Sequence, residues 1–255
     1  MSPSSNGSEP AALVTGGTRG IGRTIAARLA GAGYGVLVCG RRDPGDLPGG
    51  VVFHRADVRE PEEAAGLVRA AVARFGRLDL VVNNAGGSPP APAATASPNL
   101  VTAVVRLNLL APFFVAQAAN AVMQEQPGGG LIVNIGSVSA LRPAPGTAAY
   151  AAAKGGLEVL TRALALEWAP KVRVNTVTAG AVRTDDHATH FGDEAALAAV
   201  AATVPLGRLA TPEDIANAVL LLASPLAAYL SGASLVVDGG GQLPRYSDTA
   251  RPQAE

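Results

Sequence analysis

The chain has one cysteine, Cys39, in 255 residues, so no internal disulfide can form, and no zinc-site spacing is present. Cys39 lies in an apolar run and reads as a buried strand residue rather than a reactive thiol. Charge of either sign is scarce. Charged residues make up 16%, and 20 Lys plus Arg balance 20 Asp plus Glu. With zero formal net charge and no basic tract, the electrostatic footprint of a nucleic-acid binder is missing. The low charge fits either an oligomer that hides surface or a bias of composition. The apolar run 218–223 is far too short to span a bilayer, and no membrane partner is expected. Residues 1–10 are rich in Ser, Asn, Gly and Pro. They lack a basic segment followed by an apolar run, so they read as a disordered leader rather than a secretory signal. The expected address is the cytoplasm. Repeats and interdomain linkers are also lacking.

What is present is apolar: 48% of the residues, enough for a sizeable core. The length fits one large α/β domain, or two small ones. Runs rich in Val, Leu and Ile at 12–15, 35–39, 51–54, 78–83, 131–135, 172–177 and 234–237 read as strands. They show no clean alternation, as expected when both faces of a parallel sheet are covered. Between them, 20–32, 61–75, 98–124, 147–168 and 212–223 read as helices. Pro61 and Pro212 sit in first turns, and Thr211 is placed as an N-cap. Alternation of this kind predicts a single doubly wound Rossmann-type α/β domain over 11–242. Its seven-stranded, mostly parallel sheet would carry helices on both faces. Residues 184–204 interrupt the pattern and read as a substrate lid or a packed helical insertion; 243–255 reads as a tail.

The segment from Thr15 to Gly22 reads TGGTRGIG and joins the first strand to the first helix. Glycines there let backbone approach a pyrophosphate, which the helix N-terminus attracts. The spacing of Gly16, Gly20 and Gly22 resembles that of the short-chain dehydrogenase/reductase family, and further motifs follow in its order. Asp57-Val58 follows the third strand. The stretch Asn83 to Gly86 reads NNAG at the end of the fourth. Asn108 lies in the next helix, Ser137 follows the fifth strand, and Tyr150 and Lys154 come thirteen and seventeen residues later. Residues 175–184 resemble the segment that clasps the nicotinamide, with Ala179 where the family usually has proline. The likeness runs from about 12 to 241.

The resemblance implies cofactor contacts from Gly16, Thr18, Arg19, Gly20, Ile21, Gly22, Arg41, Asp57, Val58, Asn84, Ala85, Gly86, Tyr150, Lys154, Gly180, Val182 and Thr184. It also implies a homotetramer or homodimer. The end of the second strand predicts NADP(H) over NAD(H). Gly40 stands where NAD-preferring relatives carry Asp, and Arg41 and Arg19 can reach a 2′-phosphate.

Tyr150 and Lys154 are four residues apart and share a helix face. A phenol, ordinarily near pH 10, is expected to be lowered by the ammonium and to act as acid or base. Ser137 would stabilise charge on the substrate oxygen, and Asn108 would hold a water linking Lys154 to solvent. The substrate-facing positions are expected from 87–94, 140–147 and 181–204, mostly small and apolar, which suggests a ketone or secondary alcohol substrate, with a 3-oxoacyl-carrier-protein reductase as a special case. A fold relative acting on nucleotide sugars and a non-catalytic cofactor sensor are the alternatives. The first has a different glycine spacing, and the second typically loses the catalytic set. Asp185, Asp186, His187 and His190 read as a solvated helix start, and no metal is expected.

Overall fold

A computed structural model describes residues 9–184 and 193–241. Seven strands form one sheet: β1 Ala11–Thr15, β2 Gly35–Gly40, β3 Val51–Arg55, β4 Leu80–Asn83, β5 Gly130–Ser137, β6 Val172–Ala179 and β7 Ser234–Val237. Their order is β3-β2-β1-β4-β5-β6-β7 and every pairing is parallel. The order reverses between β1 and β4. The crevice beyond their carboxyl ends is where a doubly wound sheet binds its ligand.

The expected helices pack on both faces. Labelled in chain order, they are α1 Gly20–Gly31, α2 Pro61–Phe75, α3 Pro98–Val105, α4 Ala111–Glu125, α5 Ala148–Glu167, α6 Glu194–Ala202 and α7 Pro212–Ala223. Side chains alternate across each strand. Leu13 therefore joins the core under α2, α4 and α5, with Leu67, Val115, Met123 and Leu164. Its neighbours Ala12 and Val14 join the opposite core under α1 and α7, with Ile25, Leu29, Ile215 and Leu222. Burial on both sides explains why the strands read as unbroken apolar runs. At the start of α7, Thr211 Oγ1 accepts from Asp214 N and Asp214 Oδ2 accepts from Thr211 N, a reciprocal cap with Pro212 in the first turn.

Most element ends shift by one or two residues from expectation, and two of the differences bear on the site. β5 runs to Ser137 because β6 pairs with it along its whole length, from Gly130↔Val172 to Ser137↔Ala179. The helix expected over 98–124 is interrupted by a π-helical turn, Arg106–Leu110, between α3 and α4. Pro112 has no N–H for the carbonyl of Asn108, and its ring crowds that carbonyl, so the regular ladder fails there. The 98–125 stretch is long and apolar enough to cross a membrane by composition. Here it layers on the sheet, burying Val104, Ala111, Val115, Ala119 and Met123.

Candidate active site

The glycine loop leaves β1 and enters α1 at Arg19, whose side chain makes no capping hydrogen bond; the first turn of α1 carries no acidic residue. A helix start with no capping side chain and no acidic residue in its first turn is an arrangement that suits an anion. A Cβ on Gly22 would stand 2.4 Å from Gly16 O and 2.3 Å from Asn84 Nδ2, so only glycine lets the loop close this tightly. Asn84 secures the loop from the next strand. Its Nδ2 donates to Thr15 O (3.0 Å) and Gly16 O (3.1 Å), while Thr15 Oγ1 accepts from Asn84 N and Ala85 N, both at 3.0 Å. Thr184 lies across from Gly20, its Cγ2 3.9 Å from where a Cβ on Gly20 would be. The segment around Gly180 and Val182 is tied down by Ala210. Ala210 N donates to Ala181 O and Arg183 N donates to Ala210 O, with a parallel bridge at Val182. This pairing restrains the segment directly after Ala179, where the family usually has proline. These residues form a glycine-lined hollow at one edge of the crevice, and its open helix start fits a dinucleotide phosphate.

At the outer corner Arg41 and Arg42 are exposed beside Gly40. Asp57 holds Arg59 through both carboxylate oxygens (Nε to Oδ1, 2.9 Å). Its carboxyl lies below the usual range, first through that hydrogen bond and lastly through the charge of Arg41. Val58 is buried beside it.

The four expected catalytic residues come together from three places. Asn108 sits inside the π turn, fully buried. Its Oδ1 accepts from Gly87 N, and its Nδ2 donates to Gly87 O and Val104 O, all at 2.9 Å. The Asn108 amide thereby fixes the backbone of the loop after β4. A Cβ on neighbouring Gly86 would meet Asn108 Oδ1 at 2.9 Å and Lys154 Nζ at 3.3 Å. Ser137 ends β5. Its Oγ accepts from Ser139 N (3.1 Å), which leaves its own proton to donate, and it is hydrogen-bonded to the Tyr150 phenol. Tyr150 and Lys154 project from the first turns of α5. Lys154 Nζ lies 5.8 Å from the centre of the Tyr150 ring and donates to Ile135 O at 2.8 Å.

The electrostatics depart from expectation. The Tyr150 phenol is pushed above its ordinary 10 by burial, against the opposing pull of the Ser137 hydrogen bond. Lys154 does not lower it. Lys154 is itself 4% exposed, and desolvation draws its ammonium down to about 8, against the raising influence of Glu158. The spacing is as expected, but depth in the fold governs the direction of the shift.

A cavity of about 190 Å³ opens against Tyr150. Pro89, Ala91 and Ala93 of the loop after β4 line it as expected, with Gly146 and Ala149. Leu100, Val101 and Val104 of α3 complete the wall and were not anticipated; their i, i+1, i+4 spacing marked them only as an apolar helix face. A larger cavity of about 400 Å³, lined by Tyr34, Asp79, Lys171 and Arg173, lies at the opposite end of the sheet, away from every site residue. Asp185, Asp186, His187 and His190 lie outside the described residues, as do 1–8 of the leader and the tail. Among the described residues no group of three His, Cys, Asp or Glu is placed to hold a metal.

A family profile described as enoyl-(acyl carrier protein) reductase matches residues 16–242. A Streptomyces violaceoruber protein named as a ketoacyl reductase of the granaticin polyketide synthase is 41% identical, over 92% of this chain and 96% of its own. A Bacillus subtilis (strain 168) protein named as a probable 2,4-dienoyl-CoA reductase is 37% identical, over 92% and 98%. Among solved structures, the Thermoplasma acidophilum aldohexose dehydrogenase, ligand-free, superposes with a TM-score of 0.86 at 26% identity, covering 97% of each chain. The sheet order, the phosphate cradle and the Ser137–Tyr150–Lys154 cluster agree with these likenesses over nearly the whole length: the chain belongs to the short-chain dehydrogenase/reductase family of oxidoreductases, which bind a nicotinamide nucleotide.

Proposed function

We propose that this chain is a cytoplasmic NADP(H)-dependent reductase of ketones, running in reverse as a dehydrogenase of secondary alcohols. The observation that carries the reading is the Tyr150 phenol. It is hydrogen-bonded to Ser137 and one helical turn from Lys154, between the phosphate cradle and an apolar cavity. The nucleotide, when bound, supplies or accepts the hydride. The chain's own residues handle the oxygen. Ser137 Oγ donates to it and stabilises the charge that grows there. Tyr150 delivers the proton to that oxygen, and a phenol whose pKa burial raises is in its donating form near pH 7. Lys154 in its ammonium form holds the ribose hydroxyls and backs the phenol. Asn108 sets the backbone of Gly87 at the floor of the site.

The choice of NADP(H) rests on charge. Arg41 and Arg19 flank the corner where a 2′-phosphate would lie, and guanidinium meets phosphate through paired hydrogen bonds. Gly40 puts no carboxylate at the end of β2, and the Asp57 carboxylate nearby is engaged by Arg59. A side chain there would bring its Cβ to 3.1 Å from Thr18 Cγ2. Gly16, Gly20, Ile21, Gly22, Asp57, Val58, Ala85, Gly86, Gly180, Val182 and Thr184 would complete the cofactor bed.

The small apolar chamber favours a substrate with a compact hydrocarbon flank. Relatives named as hydroxysteroid dehydrogenases, 35% identical from Eggerthella lenta and 36% from Mediterraneibacter gnavus, are in keeping with the apolar character of that wall, though not with its small size. The test is NADPH oxidation with a panel of cyclic and aryl ketones, a 3-oxoacyl thioester and an enoyl thioester. Turnover with the ketones, and a preference for NADPH over NADH, is the expected result. Tight NADPH binding with no turnover of any member would point instead to a cofactor sensor.

A further inference from the structure

The mechanism leaves one buried acid unused. Glu158 follows Lys154 by four residues on α5, so Tyr150, Lys154 and Glu158 form one line along the inner face of the helix. Glu158 is 8% exposed. Its Oε1 accepts from Thr178 Oγ1 of β6 at 2.5 Å and from Ser234 Oγ of β7 at 3.1 Å, and those two hydroxyls are 2.8 Å apart. Gly136, the residue before Ser137, makes room for it, since a Cβ there would stand 3.2 Å from Glu158 Oε1. Three strands and a helix thus build a polar niche for one carboxylate, one turn before Thr161 of the buried Asn134–Thr161–Thr176 hydrogen-bond chain.

We propose that Glu158 is a positioning residue: its buried carboxylate, fixed one helical turn beyond Lys154, is the counter-charge of the Lys154 ammonium behind Tyr150. The groups around Lys154 support this. From α5 come Tyr150 and Glu158, from β5 the Ile135 carbonyl, from the π turn Asn108, and from the loop after β4 Gly86. The charge of Glu158 raises the pKa of the Lys154 ammonium, against the lowering by burial. A buried cation without a counter-charge gives up its proton. The two hydroxyl contacts hold the carboxylate in its niche, so it acts on Lys154 as a fixed neighbouring charge. This inference rests on the role proposed for Lys154, but its test does not depend on turnover.

The sequence holds only two lysines, Lys154 and Lys171. Protein labelled with ¹³Cε-lysine therefore shows two resonances, and Lys171→Arg assigns them. The Lys154 resonance is expected to titrate near pH 8 in the wild type. In Glu158→Gln it is expected to titrate about one pH unit lower or more, with Lys171 unmoved and Glu158→Asp restoring part of the difference. Should the Gln variant not fold, Glu158→Met removes the same charge with an apolar chain of similar volume and carries the same expectation. The alkaline limb of ketone reduction should move down in step with the resonance. A Lys154 midpoint unchanged in the folded neutral variants would overturn the proposal, whatever happens to activity. Loss of activity in Tyr150→Phe bears on the catalytic reading alone.

Discussion

At the residue scale, two predictions follow from charge. Arg41 is an exposed guanidinium at a corner with no carboxylate at position 40. Arg41→Ala should raise KM for NADPH about tenfold or more while leaving NADH almost unchanged, the loss of a charge-assisted pair of hydrogen bonds. An unchanged NADPH KM would remove the basis for the NADP(H) preference. Lys154 supplies the second. Its folded pKa is drawn down to about 8, so the ammonium is intact at neutral pH and lost as pH rises through that value. The kcat/KM for NADPH, which reports the free enzyme, should fall along a limb centred near pH 8. The same shift means the unfolded chain keeps its proton longer than the folded one. From this group, stability should therefore rise with pH between about 8 and 10.5. Identity and spacing of Ser137, Tyr150 and Lys154 were legible in the sequence. The direction of the Tyr150 shift was not. A pKa follows from depth and from the partner of each hydrogen bond, and Lys154 directs its bond to Ile135 O rather than to the phenol. Glu158 was silent for the same reason: nothing in its local sequence says that Thr178 and Ser234 will surround it.

At the scale of elements, the apolar runs marked all seven strands, because a strand covered on both faces must be continuously hydrophobic. Their lengths were less legible. β5 extends to Ser137 only because β6 lies beside it, a partner more than 35 residues away along the chain. The break between α3 and α4 did have a signal, Pro112 four residues after Asn108, but an otherwise regular helical pattern outweighed it. The consequence is functional, since the π turn carries the Asn108 amide to the backbone of Gly87. The cap on α7 offers a stability test. Thr211 and Asp214 satisfy two of the N–H groups that a helix start leaves free. Thr211→Ala should cost about 1 kcal/mol, and should lower Tm by about 2–4 °C for a domain of this size. Asp214 is held down to about 2, chiefly by Arg208. A carboxyl lowered on folding stabilises above its ordinary range and loses that contribution as pH falls through about 2. The pair is largely in water, so the effect should be small and screened by salt. Equal Tm values for wild type and Thr211→Ala would show that the cap is redundant.

At the scale of the whole molecule, low charge finds a counterpart in the surface. Val159 and Leu166 stand exposed on α5, the latter at 83%, and Leu226 and Tyr229 stand exposed near β7 at 90% and 102%. Two such faces on a chain with few charges are what a homotetramer would use, one for each two-fold contact. Sedimentation at micromolar concentration should give a tetramer, and Leu166→Glu should reduce it to a dimer. A wild-type monomer would count against the assembly. The fold itself was legible throughout, because alternation of strand and helix admits few topologies once crossovers are right-handed. The account as a whole turns on whether the Tyr150 oxygen handles the proton that accompanies hydride transfer. The direct measurement is single-turnover ketone reduction by Tyr150→Phe, with NADPH binding followed in parallel by fluorescence. The account predicts a rate lower by about 10²–10⁴-fold, the usual worth of a positioned acid, with NADPH affinity retained. A variant that reduces the ketone at the wild-type rate would contradict it.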